Sequence, residues 1–182
     1  KMYAACRSAH PALDAVVDAL ERGDLVADEV TSVRIELSPF LRGMICPASP
    51  RTVEAARMSL PLSIAFLLRG ETLVPDAYAR FADADIASML ARFEIAENDG
   101  LASPDTIRLT VRTASGTHTL ERSEARGGEH DPFTADAVRE KFRTLTEPGI
   151  GSAQAVALIA WVDALGPGPV DPLPPIWDRA PA

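Results

Sequence analysis

The stretch Val30-Thr31-Ser32-Val33-Arg34-Ile35-Glu36-Leu37 decides the fold class. Val33, Ile35 and Leu37 point one way and Arg34 and Glu36 the other, the period-two pattern of a half-buried strand. Upstream, Leu13, Val16, Val17 and Leu20 recur at i, i+3, i+4 and i+7 after His10-Pro11, which predicts a helix. Gly23, after Arg22, stops it. Downstream, Ile107, Leu109 and Val111 alternate with Arg108, Thr110 and Arg112. Ala114-Ser115-Gly116 then reads as a hairpin turn and Thr117–Ser123 as the returning strand. Phe93–Ala96 adds a short strand before the turn Asn98-Asp99-Gly100, and Lys1–Ala5 reads as a strand end. A helix between the first two strands and a later meander give an α+β class: a mostly antiparallel sheet with helices on one face, plus C-terminal helices.

Between the strands lie a loop and a long apolar helix. Pro39 ends the first strand, and the loop runs through Gly43, Pro47 and Pro50. Thr52 is an N-cap with Glu54 in the first turn, and the helix extends to Leu68, closed by Gly70. After Met58 it is apolar on nearly all sides, so it should be buried, against a further domain or a second copy of the chain. Pro61 falls inside it, where a proline kinks a helix or costs about 3 kcal/mol. Asp76–Ala82 and Asp85–Arg92 read as short helices. Thr134 caps a helix through Phe142, and a last helix covers Ala153–Leu165. The Pro-rich tail from Gly166, with Trp177 near its end, should run extended. The expected division is a domain over 1–148, a terminal helix over 149–165 and a tail over 166–182.

The 182 residues carry 18 basic and 26 acidic side chains, a net charge of −8, with 47% apolar residues. That supports a real core and argues against bulk nucleic-acid or anionic membrane binding, both of which ask for a basic face. No stretch reads as a membrane span or a signal peptide, and two cysteines make no disulfide framework. The expected location is the cytoplasm. The chain opens on Lys1 rather than Met, which reads as a cut end.

The segment Cys6-Arg7-Ser8-Ala9-His10 offers the first candidate chemistry. Arg7 can clamp a carboxylate, His10 can move protons, and the following helix N-terminus favours an anion. The alternative is an ordinary helix-start histidine beside a surface arginine. Ser59 and Ser63 lie one turn apart and either touch a ligand or bond back to the helix. Phosphate-loop, dinucleotide, zinc-protease and nucleophile-elbow motifs are absent, and His10, His118 and His130 have no metal-ligand spacing. No metal and no cofactor is expected.

The order of residues resembles the MmgE/PrpD family, which includes 2-methylcitrate dehydratase, cis-aconitate decarboxylase and iminodisuccinate epimerase. Lys1-Met2-Tyr3-Ala4-Ala5-Cys6-Arg7-Ser8-Ala9-His10 with Leu13-Asp14-Ala15 resembles K-x-Y-P-x-C-R-x-x-H-x-x-x-D-A. Pro50 to Ala65 resembles P-x-T-x-x-E-A-x-F-S-L-P-Y-x-x-A, and Gly127-Gly128 through Pro132-Phe133-Thr134 to Lys141-Phe142 is similar to G-x-P-x-N-P-x-T-x-x-x-x-x-K-F. The resemblance implies the C-terminal lid domain of a metal-independent lyase whose helical domain would precede Lys1 and hold further acid/base groups. It implies catalytic roles for His10 and Cys6, and substrate binding by Lys1 and Arg7; Ser59, raised by its spacing from Ser63, is expected to bind substrate as well. The decarboxylase branch has a histidine at the position of Cys6, and the family's S-L-P-Y tyrosine is Leu62 here. The expected substrate is a small di- or tricarboxylate losing water after proton abstraction alpha to a carboxylate. An epimerase or decarboxylase, and a non-catalytic lid-like domain used for binding or assembly, are the alternatives. The expected partners are the helical domain and a second copy in a homodimer, and the chain alone is expected to be inactive.

Overall fold

The computed structural model describes residues 1–47, 50–122, 124–169 and 171–174. It divides into two compact units, Lys1–Pro132 and Phe133–Ala182. In the first, α1 (His10–Glu21) precedes β1 (Val30–Leu37), α2 (Pro39–Ile45), α3 (Val53–Arg57), α4 (Leu60–Leu68) and α5 (Ala84–Leu90). Strands β2 (Phe93–Glu97), β3 (Arg108–Thr113) and β4 (Thr117–Glu121) complete it.

The four strands form one sheet in the order β2-β1-β3-β4. β1 pairs antiparallel with β3, and β3 with β4, while β1 and β2 run parallel across the crossover that carries α2 to α5. The sheet is thus mostly antiparallel and the class α+β. Its register explains the alternation. Ile95, Ile35, Leu109 and Leu120 form one row, and Phe93, Val33, Val111 and His118 the next, on the same face. That face joins Leu13 and Val16 of α1 and Ile64 and Phe66 of α4 in a single core. The opposite face is polar, and Arg34 pairs across strands with Glu94 and Arg108 with Glu121.

Both prolines that read as interruptions turn out to begin helices. Pro39 opens α2 behind the N-cap Ser38, whose hydroxyl accepts from the Leu41 amide at 3.3 Å. The loop expected there is therefore a helix as far as Ile45. The expected helix over 53–68 is two helices, broken at Met58-Ser59. Ser59 caps α4, accepting from the Leu62 amide at 3.3 Å, and Pro61 occupies the first turn, where the missing N–H forfeits no intrahelical bond. No kink is present. The apolar α4 is buried by this chain's own core and requires neither a second domain nor a second copy.

Further differences are local. Lys1–Ala5 is irregular rather than a strand, fastened by bonds from the Ala4 amide to the Leu73 carbonyl and from the Cys6 amide to the Arg57 carbonyl. Asp76–Ala82 is replaced by a 3-10 helix over Pro75–Arg80. In the second unit α6 (Ala135–Ile150) runs beyond Phe142 and carries Pro148 in its last turn. Gly151, at φ 86°, reverses the chain into α7 (Ser152–Asp163), and Arg139 grips Asp163 with two nitrogens. Of the tail, Trp161 donates to the Asp171 carbonyl at 2.9 Å, and Trp177 lies outside the described residues. Among the described residues no helix is long and apolar enough to cross a membrane.

Candidate functional site

The segment from Lys1 to His10 gathers four of the five expected site residues. Cys6 precedes a 3-10 turn, Arg7–Ala9, that leads directly into α1, so His10 stands at the first position of that helix. Arg57 holds the segment from the side, its Nε donating to the Ala4 carbonyl at 2.9 Å. Lys1 Nζ donates to the Ala5 carbonyl at 3.2 Å. Arg7 is exposed and makes no ion pair among the described residues. Cys6 is a free, half-buried thiol.

His10 is wholly buried, and neither ring nitrogen completes a hydrogen bond. A buried polar group without a partner calls for a physical reason. Burial pushes the imidazole down to about 4. The Ala5 carbonyl opposes this without forming a bond of good geometry, Arg7 and Lys1 reinforce it, and Asp14 opposes it. At neutral pH the ring is therefore uncharged, with one nitrogen able to donate and the other to accept. The Tyr3 ring packs on it, centroids 5.0 Å apart at 58°.

Tyr3 leads to groups that the reading of candidate residues leaves aside. Its hydroxyl donates to Asp14 Oδ1 at 2.7 Å. Burial, then that hydrogen bond and the Asp14 charge, hold the phenol far above its ordinary value, so it stays a donor. Asp14 Oδ2 accepts the Arg126 amide at 2.7 Å. One turn on, Asp18 pairs with both Arg122 and Arg126, and Arg122 also reaches Asp131. The loop after β4 is thus clasped to α1. Tyr3 and Asp14 are fixed letters of the family pattern that the sequence resembles, whereas the i, i+4 spacing of Asp14 and Asp18 equally describes a solvated helix face.

Ser59 is 4% exposed and its hydroxyl caps α4. Ser63 bonds back to the Ser59 carbonyl at 2.8 Å and meets the Tyr78 hydroxyl at 2.8 Å. Leu62 is fully buried beside them. Cys46 is half-buried, and burial pushes its thiol up to about 11, so it is not a reactive thiolate at neutral pH. His130 is exposed on the loop, its Nδ1 3.0 Å from Glu124. Among the described residues no three His, Cys, Asp or Glu side chains are grouped to hold a metal ion.

The model of the MmgE/PrpD C-terminal domain matches residues 3–165. The chain belongs to the MmgE/PrpD family. No curated protein matches it. The matched stretch includes Tyr3, Cys6, Arg7, His10 and Asp14, and it runs through both units of the fold, whereas Lys1 precedes it. The MmgE/PrpD domain therefore encloses the whole hydrogen-bonded chain from Tyr3 through Asp14 to the loop after β4.

Proposed function

We propose that this chain is the lid-like C-terminal domain of a lyase of the 2-methylcitrate dehydratase type. The substrate would be a small di- or tricarboxylate, losing water after a proton is abstracted alpha to a carboxylate. Membership of the MmgE/PrpD family supports the class of chemistry. The observation that carries the site is His10, buried and neutral with two unpartnered nitrogens, next to the unpaired Arg7 cation at the start of α1.

In this reading Arg7 and Lys1 hold substrate carboxylates and offset charge that develops as the alpha proton leaves. His10, wholly buried in this chain, would donate to or accept from the substrate only once the side chains over it move aside, and Cys6 lines the same segment. Ser59 acts indirectly, by fixing the start of α4. A neutral imidazole suits hydrogen bonding and proton transfer near neutrality. The remaining acid and base groups would come from a helical domain, on the same or a separate chain, which α7 would help to hold.

The test is turnover of 2-methylcitrate and related tricarboxylates by the full-length protein, followed by the ultraviolet absorbance of the new conjugated double bond. Arg7→Ala should raise KM by on the order of tenfold or more, the loss of a charge-assisted bond worth about 1.5–3 kcal/mol. The isolated chain should be inactive. Turnover by the isolated chain at an ordinary enzymatic rate would overturn the two-domain reading. Deuterium incorporation at the alpha carbon without loss of water would replace the dehydratase with an epimerase.

A further inference from the structure

The Ala5 carbonyl faces the His10 ring without a hydrogen bond of good geometry, so packing must do most to fix its rotation. Tyr3 is the ring packed against it, and the position of Tyr3 is itself set by a hydrogen bond to Asp14. Asp14 is 1% exposed, and no cation lies within ion-pair distance of it among the described residues. A buried carboxylate without an ion pair is expensive unless its oxygens are used. Both are used, one by the Tyr3 hydroxyl and one by the Arg126 amide, each at 2.7 Å. His10 and Asp14 are four residues apart on α1 and share a face, so Tyr3 bridges two side chains of one rigid helix.

We propose that Asp14 is a positioning residue for His10, acting through the Tyr3 ring, with the Arg126 amide tying the loop after β4 into the same clamp. This rests on His10 being part of the site proposed above. The carboxylate fixes the phenol oxygen, the phenol fixes the tilt of its ring, and that ring closes the side of the imidazole. An Asn at position 14 has only one acceptor oxygen: with that oxygen kept on the Arg126 amide, its Nδ2 faces the Tyr3 hydroxyl, which must then accept instead of donate, so the phenol is turned from its present bond, while Tyr3→Phe removes that bond outright.

The experiment uses the full-length protein with isotope-labelled histidine. The His10 ring signals are assigned with His10→Gln, and the variants are Asp14→Asn, Tyr3→Phe and the double variant. The expected result is that each single variant moves or broadens the His10 tautomer signals. It should also lower kcat about tenfold with little change in KM, the signature of a misplaced group that does not itself bind substrate. The double variant should be no worse than the worse single, because both act along one path. Asp18→Asn, which removes one of the two ion pairs held by each of Arg122 and Arg126 but spares Asp14, should lower Tm and leave the His10 signals in place. Unchanged His10 signals in both single variants, or effects that add in the double variant, would overturn the proposal. If the signals couple as expected but no carboxylate is turned over, the positioning stands and the lyase reading fails. If turnover is found without the coupling, the reverse holds.

Discussion

Replacing Pro61 with alanine distinguishes a proline that breaks a helix from one that starts it. Inside a helix, proline costs about 3 kcal/mol, so its removal would stabilise the chain by about that much. Pro61 instead occupies the first turn of α4, two residues after the Ser59 cap, where the backbone N–H has no intrahelical partner to lose. The substitution then recovers no hydrogen bond. It frees the unfolded chain, which costs about 0.4–1 kcal/mol. It also deletes about two buried methylene groups at roughly 0.8 kcal/mol each, since Pro61 is buried in the core. The net expectation is a loss of about 2 kcal/mol. For a chain of this size that lowers Tm by roughly 4–8 °C. Thermal melts followed by circular dichroism would read the shift, and urea unfolding should show a lower midpoint at unchanged slope. Ser59→Ala is the companion variant: it removes the cap alone and should cost about 1 kcal/mol. A rise in Tm for Pro61→Ala would refute the reasoning.

Acid should weaken the fold through His10. Its folded value is about 4 against an ordinary 6.5, so the unfolded chain takes up the proton first. The contribution is complete above pH 6.5 and is lost as pH falls toward 4, at a slope approaching 1.4 kcal/mol per pH unit. Urea midpoints between pH 7 and 4 should show a shallower fall in His10→Gln, and parallel curves would count against it. Gly128→Ala would put a Cβ on the Glu124 carboxylate, which the His130 ring, and after it the Glu129 and His130 amides, now hold below the usual carboxylate range. The Glu124 carboxyl signal in NMR should then titrate at higher pH, and an unmoved midpoint would show that the loop absorbs the methyl group. Leu13→Ala, at a fully buried position, should cost about 2–5 kcal/mol in urea unfolding. Phe40→Ala, with Phe40 69% exposed, should stay within about 0.5 kcal/mol, and a comparable loss there would mean that something covers it.

What is legible in the sequence follows the range of the interaction involved. β1 and β3 are visible because one buried face forces strict alternation, and α1 because its buried stripe repeats at the helical period. The prolines mislead because one residue type both ends and begins elements, and only the cap tells which. Ser38 stands one residue before Pro39 and Ser59 two before Pro61, each ahead of an apolar run. That signal was present in the letters. α6 continues the stripe Val138, Phe142 and Leu145 past Phe142, and Pro148 in its last turn is what hides the extension.

The candidate site divides in the same way. Lys1, Cys6, Arg7 and His10 are close in sequence and therefore close in space, so spacing alone collects them. Ser59 is collected by its one-turn spacing from Ser63, and the structure gives its hydroxyl to a helix cap. The Asp14 clamp depends on the Arg126 amide, 112 residues away. Every residue except proline carries such an amide, so no side-chain pattern announces which one will meet a buried carboxylate. What marks Asp14 is burial, a property of the finished core. A charge at a position that the core has closed over must find donors wherever the chain brings them. Here it found one on the segment that covers His10 and one on the loop clasped to α1. The same carboxylate therefore joins the N-terminal candidate segment to the loop after β4, two elements that spacing alone would treat as unrelated.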